Sequence, residues 1–343
     1  MTSQRDETEN ILSLRNLLVR YPAEKGTVYA VNGVSLQLKK GQTLGLAGET
    51  GAGKTTTALA LMRMLPDPGL CSCEELKICG TDMLKLSKKQ LERFRRSEIS
   101  MIFQDPMSAL NPVFSVGQQI ADAVMLHAPT TRRDAWRKAE KLLETVGIPS
   151  VRAVEYPHEL SGGMKQRVLI AIALACNPKV LIADEPTTAL DVTIQAQILA
   201  ELETLRKERG MSMILISHNL AVIRHMADEI IVMYLGQIIE KAPNEELFLH
   251  PMHPYTRALL AAVPDPEAFR QMPRMLLRGE VTAPVNPGST CRFFPRCPCR
   301  SEECRTKAPL LRELSPGHYT ACILESAAFP DDTGPQTEKR ATE

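Results

Sequence analysis

No apolar run in the 343-residue chain approaches the roughly 18–20 residues needed to cross a bilayer, so a membrane-spanning helix is not expected. Charge of one sign is also lacking. The 41 Lys and Arg stand against 40 Asp and Glu, a net +1 at pH 7, and no global field points to nucleic acid. Residues 1–10 are polar and acidic and lack the apolar stretch of a secretory leader, which makes the cytosol the expected compartment. Nine cysteines in that compartment point to free thiols or a metal rather than to disulfides. Core material is not lacking. Hydrophobic residues make up 44% of a chain long enough for two domains, or for one large domain with an appendage.

One stretch organises the rest: Gly48-Glu49-Thr50-Gly51-Ala52-Gly53-Lys54-Thr55 fits G-x-x-x-x-G-K-S/T at every position. Its glycines free the backbone to wrap, so that successive N–H groups can face phosphate oxygens. Lys54 can reach the β- and γ-phosphates, and the Thr55 hydroxyl can ligate Mg²⁺. Thr43-Leu44-Gly45-Leu46-Ala47 before it reads as a buried strand. Residues 56–65 after it read as a helix that stops before Pro66, so its partial positive charge adds to the loop.

Around this loop the pattern is mostly strand, then helix. Residues 13–19 and 34–38 alternate partly, with a turn near Gly26 between them. Tyr21 lies in that region, and an aromatic there can stack on a base. Ile99 to Phe103 is a short apolar strand ending on Gln104, whose amide can reach a metal-bound water. Residues 116–126 and a stretch after Thr131 have helical periodicity, and residues 85–159 read as an inserted helical unit. Leu160-Ser161-Gly162-Gly163-Met164-Lys165-Gln166 opens a helix on an N-cap serine and two glycines, a second anion site in the chain. Val180-Leu181-Ile182-Ala183 reads as a buried strand ending in Asp184 and Glu185, acids suited to a metal-bound water and a general base. Ala189-Leu190-Asp191 starts a further helix. The strand from Met213 to Ile216 then ends in Ser217-His218, and that histidine can hydrogen-bond a phosphate or orient the base.

Proline density rises after Lys241 and marks a boundary. Beyond it stands Cys291-x5-Cys297-x6-Cys304-x17-Cys322, with Cys299 as an extra, in a segment poor in core residues that would gain from a metal staple. These spacings match neither common zinc pairs nor the ferredoxin run, and metal, iron–sulfur, free thiols and disulfide all stay open on spacing alone.

Taken together, these residues resemble the ATP-binding subunit of an ABC transporter. The likeness runs over residues 11–241, with Walker A at 48–55, the Q-loop at Gln104, the signature at 160–166, Walker B at 180–184, Glu185, the D-loop at 189–191 and the H-loop at His218. The runs Phe103-Gln104-Asp105-Pro106-Met107-Ser108-Ala109-Leu110-Asn111-Pro112 and His253-Pro254-Tyr255-Thr256-Arg257-Ala258-Leu259-Leu260 are similar to the oligopeptide, dipeptide and nickel importer branch, as is the cysteine segment. Met164-Lys165 departs from the glutamine-rich signature of many relatives but leaves Ser161, Gly162 and Gly163 intact.

The resemblance implies an α/β fold. It consists of a RecA-like parallel sheet with an antiparallel β-subdomain, a helical subdomain at about 85–160, a C-terminal extension over 242–324, and disordered ends at 1–10 and 325–343. It implies ATP and Mg²⁺ as cofactors. Tyr21, residues Gly48 to Thr56 (including Glu49, Thr50, Gly51, Ala52, Gly53, Lys54 and Thr55), Gln104, Asp184, Ser161, Gly162, Gly163 and Asp191 would bind nucleotide. Thr55, Gln104 and Asp184 would hold the metal, and Glu185, His218, Lys54 and Gln104 would carry catalysis. In some members of the branch the four cysteines hold an iron–sulfur cluster, which implies a 4Fe-4S cluster on Cys291, Cys297, Cys304 and Cys322, with Cys299 leaving a choice of ligand. The implied partners are a second, different ATPase subunit, two membrane-spanning permease subunits and an extracytoplasmic substrate-binding protein, with no nucleic acid. The implied place is the cytoplasmic face of the bacterial inner membrane. A soluble ABC ATPase acting on nucleic acid or ribosomes is the competing reading. Proteins of that kind usually carry two cores or a long coiled-coil insertion, and this sequence has neither.

Overall fold

The computed structural model describes residues 10–105, 109–127, 129–187, 192–262, 279 and 281–324. The expected disordered ends lie outside these residues, apart from Asn10, which begins the first strand.

Strands β1 (Asn10–Ala23), β2 (Gly26–Lys39), β4 (Leu70–Ser72), β5 (Glu75–Ile78) and β6 (Thr81–Asp82) form an antiparallel sheet in the order β2-β1-β5-β6, with β4 also on β1. Along β2, Val34, Leu36 and Leu38 are buried and the residues between them exposed, the period of two of a sheet with one wet face. The strands are about twice as long as the alternation suggested. Register shifts between Leu14 and Leu17 interrupt the period, and Asn16 sits there at φ +50, so the strand continues where its pattern breaks.

The second sheet is built on β3 (Thr43–Ala47), β7 (Ile99–Ile102), β8 (Val180–Asp184), β9 (Ser212–Ser217) and β10 (Glu229–Tyr234), which pair in parallel in the order β10-β3-β9-β8-β7. All of β3, β8 and β9 is buried, because helices or the first sheet cover both faces. β11 (Gln237–Pro243) turns back on β10 through Leu235 and Gly236, both at positive φ, the backbone that a tight two-residue hairpin requires. β13 (His318–Thr320) and β12 (Arg312–Ser315) then extend the sheet antiparallel beyond β11, so chain from the C-terminal extension completes one edge.

Helices Val116–His127, Arg132–Thr145 and Gly162–Ala175 pack together in one core with Leu181, Ala183, Met213 and Leu215 from the parallel sheet. β7, read as a strand from the sequence, falls inside the bounds given to the helical unit and belongs to the sheet through its parallel pairing with β8. A second core lies between the first sheet and the other face of the parallel strands and includes Ala58 and Leu61 of the helix Lys54–Leu61. A third joins the helices Leu220–Met226 and Pro254–Ala261 to Phe293. Among the described residues no helix is long and apolar enough to cross a membrane.

Candidate active site

In the parallel sheet Ala47 is opposite Ser217, and Asp184 is opposite Ile216. The carboxyl ends of β3, β8 and β9 therefore lie side by side, which is where open α/β sheets bind ligands. The loop 48–55 leaves β3 at this edge and delivers Lys54 as the first residue of a helix.

Glycine is needed in this loop for two reasons. Gly48, Gly51 and Gly53 have φ of 144°, 82° and 98°. A Cβ on Gly48 would stand 2.3 Å from the Met233 carbonyl, and one on Gly53 would stand 2.6 Å from that of Ala30. The Lys54 ammonium is buried and donates to the Gly48 and Glu49 carbonyls at 2.6 and 3.0 Å. Burial pushes its pKa down, against the pull of Glu185, Asp184 and Glu49.

The Thr55 hydroxyl donates to Asp184 Oδ1 at 3.2 Å. Asp184 is 1% exposed, and its burial raises the carboxyl to about 6. A hydroxyl and a dehydrated carboxylate meeting beside a phosphate loop suit a hard cation such as Mg²⁺, which would remove the cost of that buried charge.

Glu185 is held on both oxygens. The Gln104 amide donates to Oε2 at 2.9 Å, and His218 Nδ1 lies 3.1 Å from Oε1. Its backbone sits at φ +48, a strained conformation for a non-glycine residue, and its N–H donates to the Ile216 carbonyl. The turn out of β8 thus aims this carboxylate across the end of the sheet. A cavity of about 520 Å³ opens here, lined by polar and loop residues Thr50, Gly51, Ala52, Gly53, Lys54, Thr55, Thr56, Gln104 and Glu185. Val28, Ala30, Leu235, Val281, Ala283 and Pro284 add an apolar part to the same lining.

The remaining sequence candidates fall elsewhere. Tyr21 packs near Gly69 and against the core between the sheets, outside the lining of the cavity. Ser161 caps its helix by accepting from the Met164 N–H at 3.4 Å, and the exposed Ser161-Gly162 pair also lies outside that lining. Asp191 lies outside the described residues.

Near the C-terminus, Cys304 and Cys322 are buried and Cys291, Cys297 and Cys299 half-buried. The Cys291 N–H donates to the Cys304 carbonyl at 3.0 Å. Burial, then neighbouring thiols, pushes Cys297 up to about 12 and Cys322 up to about 11. Cys291 rises for the same reasons, with Cys304 its nearby thiol. Among the described residues, however, no three His, Cys, Asp or Glu side chains are arranged to hold a metal ion.

Sequence reasoning missed the wall Val281, Ala283 and Pro284, along with Tyr255 and Arg296, which hold Glu49 from the C-terminal extension. One signal was available: a glutamate inside a loop built to attract anions needs a partner.

The polar groups of the cavity suit a polyphosphate and a hard cation bound together, and the class this defines is a phosphate-loop nucleotide hydrolase. Residues 31–188 match the ABC transporter family, and residues 239–304 match the oligopeptide/dipeptide transporter C-terminal region. A probable peptide ABC transporter ATP-binding protein of Sinorhizobium fredii is 45% identical over 315 residues, covering 91% of this chain and 94% of that one. The oligopeptide transport ATP-binding protein AppD of Bacillus subtilis is 42% identical over 319 residues, 92% and 96% of the two chains. A dimeric ATP-binding cassette, MJ0796, in a post-hydrolysis state with ADP and Pi, superposes with a TM-score of 0.61 at 27% identity, over 68% of this chain and 98% of that one. The chain belongs to the ABC transporter family, as an ATP-hydrolysing subunit with the C-terminal region of the oligopeptide/dipeptide branch.

Proposed function

We propose that this subunit couples ATP hydrolysis to the import of di- or oligopeptides, or of nickel chelates, and works as a peripheral protein on the cytoplasmic face of the bacterial inner membrane. The observation that carries the hydrolytic reading is the pair of contacts on Glu185, from Gln104 at 2.9 Å and His218 at 3.1 Å, at the edge of the phosphate-loop cavity. They fix both carboxylate oxygens in an orientation from which Glu185 can accept a proton from an attacking water. Lys54 and the N–H groups of residues 50–55 bind and orient the phosphates. Thr55 and Asp184, with Gln104 beside them, would hold Mg²⁺, which when bound neutralises phosphate charge.

Ser161, Gly162 and Gly163 stand outside their own chain's cavity, and the exposure of Ser161 and Gly162 supports a role in capping the nucleotide of a second ATPase subunit in a head-to-tail pair. Asp191 would act at that same interface. Helices Val116–His127 and Arg132–Thr145, reached through Gln104, would press on two permease subunits fed by an extracytoplasmic binding protein.

The test is Glu185→Gln. It should bind ATP and accumulate as a closed pair on size exclusion while turnover stops. Turnover at the wild-type rate would sink the assignment of the base.

For the cysteines, the match of residues 239–304 to the oligopeptide/dipeptide transporter C-terminal region is what supports a 4Fe-4S cluster on Cys291, Cys297, Cys304 and Cys322. Anaerobic purification should give brown protein with iron near four per chain. Colourless protein that carries zinc would overturn this.

A further inference from the structure

The carboxylate of Glu49 lies inside the phosphate loop, close enough to Lys54 to act on its charge. An acid there opposes the triphosphate that the loop is built to hold. It is not left alone. Arg296, 247 residues away in sequence, donates to both its oxygens, Nη1 to Oε2 at 2.6 Å and Nη2 to Oε1 at 3.1 Å. The Arg296 side chain is only 8% exposed. The Glu49 N–H donates to the Tyr255 hydroxyl at 2.8 Å, so the residue is gripped by backbone and side chain alike. Arg296 also lies over the Tyr234 ring, 5.8 Å from its centroid. Tyr234, Tyr255 and Phe293 pack ring against ring, with centroids 4.7 to 5.5 Å apart, and Phe293 is 1% exposed. The fork that neutralises Glu49 is thus fixed by an aromatic cluster and cannot swing away freely.

We propose that Arg296 is a positioning residue of the nucleotide site: it cancels the negative charge of Glu49, so that the phosphate loop presents a net attractive face to ATP only while the C-terminal segment is docked. The proposal rests on the reading of residues 48–55 as the ATP site and names what controls that site. Removing Arg296 leaves the Glu49 carboxylate in the phosphate loop without its arginine partner, so that its charge is set against the phosphates and draws on Lys54. Removing the carboxylate as well takes away the reason Arg296 is needed. A merely structural arginine would not behave this way, because a second substitution would not repair the packing lost with the first.

The experiment is equilibrium titration of the full-length chain with a fluorescent ATP analogue and Mg²⁺, displaced by unlabelled ATP. The variants are Arg296→Ala, Arg296→Lys and the double variant Glu49→Gln/Arg296→Ala. Arg296→Ala should weaken binding by roughly tenfold or more, the scale of a fixed charge pair that loses one member. Arg296→Lys should recover most of it, and the double variant should bind more tightly than Arg296→Ala alone. The deficit of Arg296→Ala should also shrink as salt is raised, since repulsion is screened. Wild-type affinity in Arg296→Ala, or a double variant as weak as the single, would overturn the proposal. If the wild-type chain itself binds no nucleotide, the ATP-site reading fails instead, so the two failures are distinguishable.

Discussion

Asp184 carries a measurable cost that function imposes on the fold. It is 1% exposed, and burial lifts its carboxyl from 3.8 to about 6. In the unfolded chain the group returns to its ordinary value. The folded protein therefore holds this proton more tightly than the unfolded one, and stability is greatest below the unfolded value and declines as pH rises through the folded one. At about 1.4 kcal/mol per pH unit, keeping the carboxylate ionised at neutral pH costs about 3 kcal/mol. Asp184→Asn is neutral at every pH and escapes that cost, and the Thr55 hydroxyl can donate to its amide oxygen as it does to Oδ1. The variant, without nucleotide or Mg²⁺, should exceed wild type by up to about 3 kcal/mol at about pH 8, and by about half of that at about pH 5. ATP hydrolysis should meanwhile fall to background. Urea unfolding followed by circular dichroism, with the single Trp136 as a second probe, measures both pH values. A variant no more stable than wild type at the higher pH would refute the reasoning, and so would a gain equal at the two.

Gly53→Ala should destabilise the protein by roughly 1–3 kcal/mol and weaken ATP binding, because φ is +98 and the new methyl would meet the Ala30 carbonyl at 2.6 Å. Thermal unfolding and nucleotide titration report the two effects. His318 is buried with Nε2 2.8 Å from Glu240 and Nδ1 3.4 Å from Glu246. Burial works against its charge, but hydrogen bonding to the two acids outweighs that and raises its pKa. Its contribution is therefore present below the ordinary histidine value and lost as pH rises through the folded one. Protease resistance of the β12–β13 edge should fall with rising pH in wild type, and His318→Gln should flatten that dependence.

The parts of the site legible in the sequence were those written locally. A strand, a glycine loop and a helix occupy adjacent residues, and the backbone geometry of Gly48, Gly51 and Gly53 follows from residue type. Asp184, Glu185 and His218 were legible because each ends a short apolar strand, and parallel strands of one sheet bring their carboxyl ends together. Pairings across long separations were not legible. Nothing in Cys-Arg-Phe-Phe-Pro-Arg-Cys says that its second arginine meets a glutamate 247 residues earlier. Nor does composition place Val281, Ala283 and Pro284 against the cavity, because backbone contacts with Thr27 and Tyr29 dock that strip. Tyr21 carried an aromatic's potential to stack on a base, but β1 directs it toward Gly69 and the inter-sheet core. The length of β1 was hidden by its own register shifts.

The strip that closes the cavity has a bearing on how the protein is made. The Tyr29 N–H donates to the Pro284 carbonyl, the Asn286 N–H to the Thr27 carbonyl, and Val28 bridges Val285. The tip of the first hairpin and a strip from the far end of the chain therefore clasp each other beside the phosphate loop. A ribosome delivers the hairpin and loop long before that strip, and Arg296 later still. The part of the chamber lining formed by Val281, Ala283 and Pro284, and the arginine that pairs with Glu49, are therefore added only well after the phosphate loop has been made.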